Sequence, residues 1–219
     1  MTMIRRTLAL ATVALVAASS LQAQHDADHD VKVKGGPLPA GWSARTDNAN
    51  SKIEDAKFVV MGPGYHITSG PAAIYWQTGR VTSGPFKATA TFAQQKAPTH
   101  PEAYGIFFAG NKLDAADQTY YYFLVRGDGK VMLKHRAGTE VHTLMDWTNN
   151  EAVHKQDAAG KTTNTLAVDA TKADSVRFFV NGVEVAARTG LGYTNGVAGV
   201  RVNHNLDVHI SDFAVTPRR

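Results

Sequence analysis

Apolar and polar residues alternate over much of the chain from Lys57 onward, and turn residues interrupt the alternation at short intervals. Phe86, Ala88, Ala90 and Phe92 are separated by Lys87, Thr89 and Thr91, the period-two pattern of a strand that buries one face. Similar runs cover residues 103–109, 119–126, 130–136, 163–168, 175–180, 183–187, 197–203 and 206–215. Together with the segments near 58–77 they predict about a dozen strands. Residues 31–53 are less regular and read as an entry segment.

Gly127-Asp128-Gly129 and Asn181-Gly182 each lie between two strand runs, and Asn-Gly supplies the positive φ values that a tight hairpin turn needs. The sheets are therefore expected to be antiparallel. No helical stripe of useful length occurs, and the best candidate, 113–118, is a single turn within a loop. Many short antiparallel strands without covering helices predict an all-β, two-sheet sandwich with no internal repeat.

The N-terminus has a different pattern. Arg5 and Arg6 precede an apolar run from Thr7 to Ala18, and Ala23 ends a short polar stretch before Gln24. This is the layout of a secretory signal peptide, and the run is too short to span a bilayer, which takes roughly 20 residues. The Arg pair fits general export or the twin-arginine route. Residues 1–23 are thus expected to be removed, 24–36 to form a flexible lead-in, and 37–219 to fold as one domain in the periplasm or outside the cell. His25, Asp26, Asp28, His29 and Asp30 are chemically able to chelate zinc, copper or nickel, or simply to solvate the terminus.

The absence of cysteine excludes disulfides, thiolate nucleophiles and a lipidated N-terminal cysteine. The formal charge of +4 falls to +2 without Arg5 and Arg6, too little to favour nucleic acid or a membrane surface as partner.

Two stretches carry a family resemblance. One runs from Tyr104 to Trp147, through YGIFFAG and TYYYFLVRGDGKVMLKHRAG to a loop ending at Trp147. The other comprises NTLAVDATKADSVRFFVNGVEVA and GVAGVRVNHNLDVHISDFAV, closing on Asp212, Phe213 and Val215. The pattern resembles the concanavalin A-like lectin and glucanase superfamily, in its laminin-G-like and keto-glycoside hydrolase-like branch. The resemblance implies a concanavalin A-like jelly roll, and it leaves three functions open: a carbohydrate-binding domain, a hydrolase or lyase of keto- or otherwise modified glycosides, or a non-catalytic interaction scaffold. It also implies a structural calcium as one option, with Asp207 or Asp212 as carboxylates, against the alternative that both cap a strand or face water. No other cofactor is expected.

The glucanases of this superfamily place alternating carboxylates on one strand as E-x-D-x-x-E, so that both point into one cleft. Here Glu54, Glu102, Glu140, Glu151 and Glu184 are scattered, and none heads that spacing. Neither a phosphate loop, an H-E-x-x-H motif nor a G-x-S-x-G elbow occurs, so no catalytic residue is assigned. His66, His100, His135, His142, His154, His204 and His209 are dispersed and serve chemistry only where the fold gathers them.

The better lead lies in strand parity. Tyr121, Phe123 and Val125 are predicted to face the core, which turns Tyr120, Tyr122 and Arg126 to the other side. Across the hairpin Lys134 and Arg136 share that side, and in the later strand Arg201 and Asn203 do so while Val200 and Val202 point inward. Rings stack on sugar faces while Arg and Asn bond hydroxyls, so Tyr120, Tyr122, Arg126, Lys134, Arg136, Trp147, Arg201 and Asn203 form the candidate face for a glycan or small polar ligand. The same residues can also simply solvate a sheet. Trp76 joins them if it lies at the rim. Phe178, Val180, Val183 and Val185 are assigned to the core.

N-terminal sequencing of the exported protein is expected to begin within a few residues of Gln24; a mature form retaining Arg5 would refute the signal assignment.

Overall fold

Alternation over short segments yields fourteen strands among the residues described by the structure, a computed structural model covering residues 29–172 and 174–217. In chain order they are β1 (Trp42–Thr46), β2 (Lys57–Met61), β3 (Gly64–Thr68), β4 (Ala73–Thr82), β5 (Phe86–Gln94), β6 (Ala103–Asn111) and β7 (Thr119–Arg126). They continue with β8 (Lys130–Ala137), β9 (Glu140–Asn149), β10 (Thr162–Lys172), β11 (Ser175–Val180), β12 (Val183–Thr189), β13 (Gly196–Val202) and β14 (Asp207–Pro217). A single 3-10 turn spans Ile53–Asp55. Two seven-stranded antiparallel sheets result, ordered β1-β4-β13-β6-β7-β8-β9 and β12-β11-β10-β5-β14-β3-β2. The expected two-sheet sandwich is the observed architecture.

The inner faces meet in an aromatic core. Phe123 packs on Phe178 at 5.2 Å between ring centroids, Phe92 stacks on Tyr104 at 5.1 Å, and Phe58 meets Tyr75 edge-on at 5.1 Å. Tyr121, Phe123, Val125, Val200 and Val202 all lie in this core, as their parity predicts. Strand β5 alternates strictly, with Phe86, Ala88, Ala90 and Phe92 buried.

Four local expectations need correction. Residues 140–147, read as a loop, form edge strand β9, so Trp147 stands on a strand; register shifts in β8–β9 pairing and an exposed outer flank erase the alternation that would have marked it. The entry segment contains strand β1, paired with β4 through Ser43↔Trp76 and Arg45↔Ile74. Val183 is 54% exposed rather than core, because it sits at the hairpin beside a register shift between Phe178 and Phe179. The lead-in is anchored from His29 onward: Asn205 accepts from the Val31 amide at 2.7 Å and donates to the His29 carbonyl at 3.2 Å, and the Gly35 amide donates to the Glu54 carbonyl. The proposed signal and residues 24–28, including His25, Asp26 and Asp28, lie outside the described residues.

The Asn181-Gly182 hairpin has the two positive φ values its sequence calls for, 50° and 83°. Asn181 also does something no turn rule anticipates. Its Nδ2 donates to the Asn164 side chain and to the Ala152 carbonyl, both at 2.8 Å, while its Oδ1 accepts from the Thr165 amide. Asn164, fully buried, in turn donates to the Tyr104 hydroxyl and accepts from the His154 amide. The two asparagines therefore pin the segment after β9 to the sandwich through satisfied buried polar groups.

Phe123→Ala is expected to cost about 3–5 kcal/mol and Asn164→Ala about 1–3 kcal/mol, read as shifts in denaturant midpoint. Substituting the exposed Thr163 by Ala should leave the midpoint unchanged. A neutral Phe123→Ala would refute the inner-face assignment.

Candidate functional site

The outer face of the first sheet is built by the residues that alternate with the core. Backbone register sets Tyr122 opposite Lys134, Tyr120 opposite Arg136, Leu124 opposite Met132 and Arg126 opposite Lys130 on β7 and β8. On the inner flank Phe107 faces Tyr122, and Arg201 stands between Ile74 and Gly105. The parity assigned from sequence thus holds for Tyr120, Tyr122, Arg126, Lys134, Arg136 and Arg201.

The expectation that this face is solvated does not hold. Tyr120 is 1% and Tyr122 4% exposed, and Ile74, Trp76, Ala103, Phe107, Leu113, Leu124 and Met132 join them in a second apolar cluster. Trp76 is inside this cluster, not at a rim. The cover comes partly from the loop after β6, which Arg45 holds down by donating to the carbonyls of Leu113 at 2.7 Å and Ala115 at 2.6 Å. Both faces of β7 are therefore buried.

Burying Arg201 in this cluster requires a counter-charge. Asp47 provides it from the loop after β1. The guanidinium of Arg201 donates to both Asp47 oxygens, at 2.7 Å from Nη1, and lies 4.7 Å from the Tyr122 ring centre. Arg136 approaches the same carboxylate at 3.5 Å, and the Tyr120 hydroxyl lies 3.4 Å from Arg201. Burial alone would raise the Asp47 pKa, but the charges of Arg201 and Arg136 and the bonds from Arg201 hold it below the ordinary carboxylate value. Burial likewise opposes charge on Arg201, and Asp47 overrides it. Burial pushes the Tyr120 hydroxyl up to about 12.

The candidate residues thus divide into two groups. Tyr120, Tyr122, Arg136 and Arg201 gather around Asp47 and are largely occupied by one another. Arg126 and Trp147 form the second group at the other end of β7, where the guanidinium stacks at 4.6 Å from the indole centre and clamps Asp128 with bonds of 2.8 and 2.6 Å. Those bonds lower the Asp128 pKa, and Lys130 adds to the effect from 3.8 Å. Lys134 is half-buried between the groups. Asn203 lies just past β13, its amide bonded to the Ala103 carbonyl at 2.9 Å, and joins neither group.

Two clefts open beside this face. One, of about 360 Å3, is lined by Asp30, Asp47, Ser51 and His204 among others. The other, of about 210 Å3, lies between the 98–102 loop and the β7–β8 hairpin and is lined by Glu102, Gly127, Asp128 and Gln156 with Pro98 and Pro101. Glu102 and His204 meet at 2.7 Å, so a histidine and a carboxylate do converge near the aromatic residues. Asp47 was missed because nothing in the local sequence marks it, and His204, named as a candidate, could not be joined to Glu102 because the two are 102 residues apart.

Four other histidines lie in two pairs. His66 lies tilted against His209 at 6.2 Å on the second sheet, and His135 stacks on His142 at 5.8 Å and bonds Tyr193 at 2.9 Å. Asp207, one of the carboxylates considered for calcium, is engaged by His66 at 2.8 Å and Lys96 at 3.6 Å, and Asp212 bonds Ser211. Among the described residues no group of three or more His, Asp or Glu is arranged to hold a metal.

The Asp47 cluster has a pH signature. Because its folded pKa lies below the unfolded value near 3.9, the carboxylate stabilises the fold above that value and ceases to do so as pH falls through the folded pKa. Asp47→Asn is therefore expected to be markedly less stable than the parent protein at pH 7, by about 3–5 kcal/mol for an uncompensated buried guanidinium, with the gap closing in acid. A gap constant from pH 7 down to pH 2 would refute the assignment.

No family model matches the chain, and no curated protein matches it significantly. Solved structures do. A carbohydrate-binding module, CBM66 of Bacillus subtilis, superposes with a TM-score of 0.59 at 13% identity, over 82% of this chain and 99% of that one. A Bacillus subtilis protein with a galectin-like fold gives 0.57 at 15% identity, over 81% and 90% of the two chains. The β-glucanase of Bacillus licheniformis gives 0.56 at 10% identity, over 88% of this chain and the whole of the other. At these identities the likeness establishes architecture alone: two antiparallel seven-stranded sheets packed as a jelly-roll-like β-sandwich.

Proposed function

We propose that this protein is an exported carbohydrate-binding β-sandwich whose ligand lies across the Trp147, Arg126 and Lys134 part of the outer face. The observation that carries the reading is the half-buried Trp147 held on edge strand β9 by the Arg126 guanidinium, which is itself fixed by Asp128. A ring immobilised in this way offers a sugar an apolar face at little entropic cost, while the neighbouring cations bond hydroxyls. The carbohydrate-binding module among the structural neighbours supports the same reading, and the N-terminal pattern supports a periplasmic or secreted site of action. The deeper group around Asp47 contributes rigidity, since its guanidinium and hydroxyl partners are already engaged.

A second reading, turnover of keto- or otherwise modified glycosides, is favoured by one observation, the 2.7 Å contact of Glu102 with His204. Such a pair is able to relay a proton at a cleft edge.

Glycan-array binding followed by calorimetry tests the first reading. Lys134→Ala and Trp147→Ala are expected to weaken glycan binding tenfold or more, with Lys134→Ala leaving the melting temperature unchanged. Tyr122→Ala is expected to lower that temperature substantially, because the ring is buried. Release of product from keto-glycosides that Glu102→Gln abolishes would instead establish the second reading.

A further inference from the structure

Away from Trp147, a guanidinium and a carboxylate line one further cleft without meeting. Strand β9 forms one end of the first sheet and β4 lies next to the other end, so Arg80 on β4 is set across the sheet from the indole. The Arg80 side chain is held in place. Its Nε donates to the Gln77 side-chain oxygen, its Nη1 donates to the Phe213 carbonyl at 3.4 Å, and the guanidinium lies 5.1 Å from the Phe213 ring centre. Among the described residues Arg80 forms no ion pair, and the donors of its Nη2 have no protein acceptor.

Asp212 supplies the carboxylate of the same cleft. Strand β14 shifts register between Ser211 and Ala214, and Asp212 sits in this bulge at a φ of 54°. Glycine takes such a conformation more readily, so the bulge by itself does not call for a carboxylate. The carboxylate accepts from the Ser211 hydroxyl at 3.1 Å and forms no ion pair among the described residues. Pro63, Gly64, the half-buried Tyr65 and Phe213 complete the lining. Gly64 lets β3 press against β14, since a Cβ there would overlap the Ile210 carbonyl. The cleft holds about 250 Å3, below the roughly 300–1,000 Å3 of pockets that enclose drug-sized ligands, which leaves room for about one sugar ring.

We propose that this cleft is a second sugar-binding site, in which two adjacent hydroxyls of one sugar ring bridge Arg80 and Asp212. One hydroxyl oxygen accepts from the guanidinium, its neighbour donates to the carboxylate, and Tyr65 offers an apolar wall to the ring. A lone anion would meet Asp212 and a lone cation would meet Arg80, whereas a diol carries the acceptor and the donor together. The proposal takes its ligand class from the carbohydrate-binding reading and adds to it a site and a valency. With Trp147 at one end of the sheet and this cleft toward the other, one chain is able to hold a polysaccharide at two points and gain avidity.

The test follows the amide chemical shifts of Tyr65 and Ser211 while methyl α-D-mannopyranoside, methyl α-D-glucopyranoside and, as a zwitterion, glycine are titrated into the protein. Saturable shifts at these amides are expected with at least one glycoside. Asp212→Gly, which takes the positive φ more readily and so keeps the fold, is expected to weaken that binding tenfold or more without lowering the melting temperature. Arg80→Met, which keeps an unbranched stem over Phe213, is expected to weaken it as much, and Asp212→Gly decides alone if Arg80→Met does not fold. Trp147→Ala is expected to leave the affinity at this cleft unchanged. Undiminished affinity in Asp212→Gly, or shifts with glycine and with neither glycoside, overturns the second site. Its failure is distinguishable from that of the first reading: unmoved Tyr65 and Ser211 amides in a protein that still binds array glycans through Trp147 overturn the second site alone. A protein that binds neither glycoside nor any array glycan overturns both.

Discussion

Strand β7 buries side chains on both of its faces, and much else in the molecule follows from that constraint. Tyr121, Phe123 and Val125 fill the space between the sheets, while Tyr120, Tyr122 and Leu124 fill a second apolar layer outside it. A sheet in an ordinary sandwich leaves its outer face to water. This one has drawn a loop, a guanidinium and a carboxylate over it instead. Arg201 enters the layer with its charge, and the layer is tenable only because Asp47, just past β1 in the same sheet, reaches it.

That arrangement separates rigidity from recognition. Around Asp47 two guanidiniums and the Tyr120 hydroxyl converge, with the carboxylate answering both cations, so the group ties the loop after β1 to β7, β8 and β13. At the other end of the same strand, Arg126 is fixed by Asp128 and fixes Trp147, and here exposed surface and an open cleft remain. A platform on an edge strand would ordinarily move. The stacked guanidinium and its two bonds to Asp128 remove that freedom before any ligand arrives.

Two asparagines show how a turn motif can carry tertiary information. Asn181 is suited to its hairpin by conformation alone, yet its amide also ties the hairpin to Asn164 and Ala152, and Asn164 ties these to Tyr104 at the centre of the core. The segment carrying Gln156 is thereby placed against the β7–β8 hairpin, where the Gln156 amide meets the Gly127 carbonyl at 2.8 Å. The shape of the smaller cleft thus depends on a polar network with no side chain in the cleft itself.

What the sequence determined by itself was local and periodic. A strand's two faces are set by alternate residues, so Tyr121, Phe123 and Val125 could be placed opposite Tyr120, Tyr122 and Arg126 from spacing alone, and Asn181-Gly182 announced its own turn. Periodicity failed where register shifts broke it, at β9 and at Val183. It could not say whether the face opposite the core was wet, because the answer rests on Asp47 and Arg201, which are 154 residues apart and are joined only when β1 and β13 flank β4. Nor could it join Glu102 to His204. Alternation is a property of neighbours along the chain, whereas a buried charge, a cleft and an unpaired acceptor are properties of neighbours in space, and only the closed sandwich decides which residues those are.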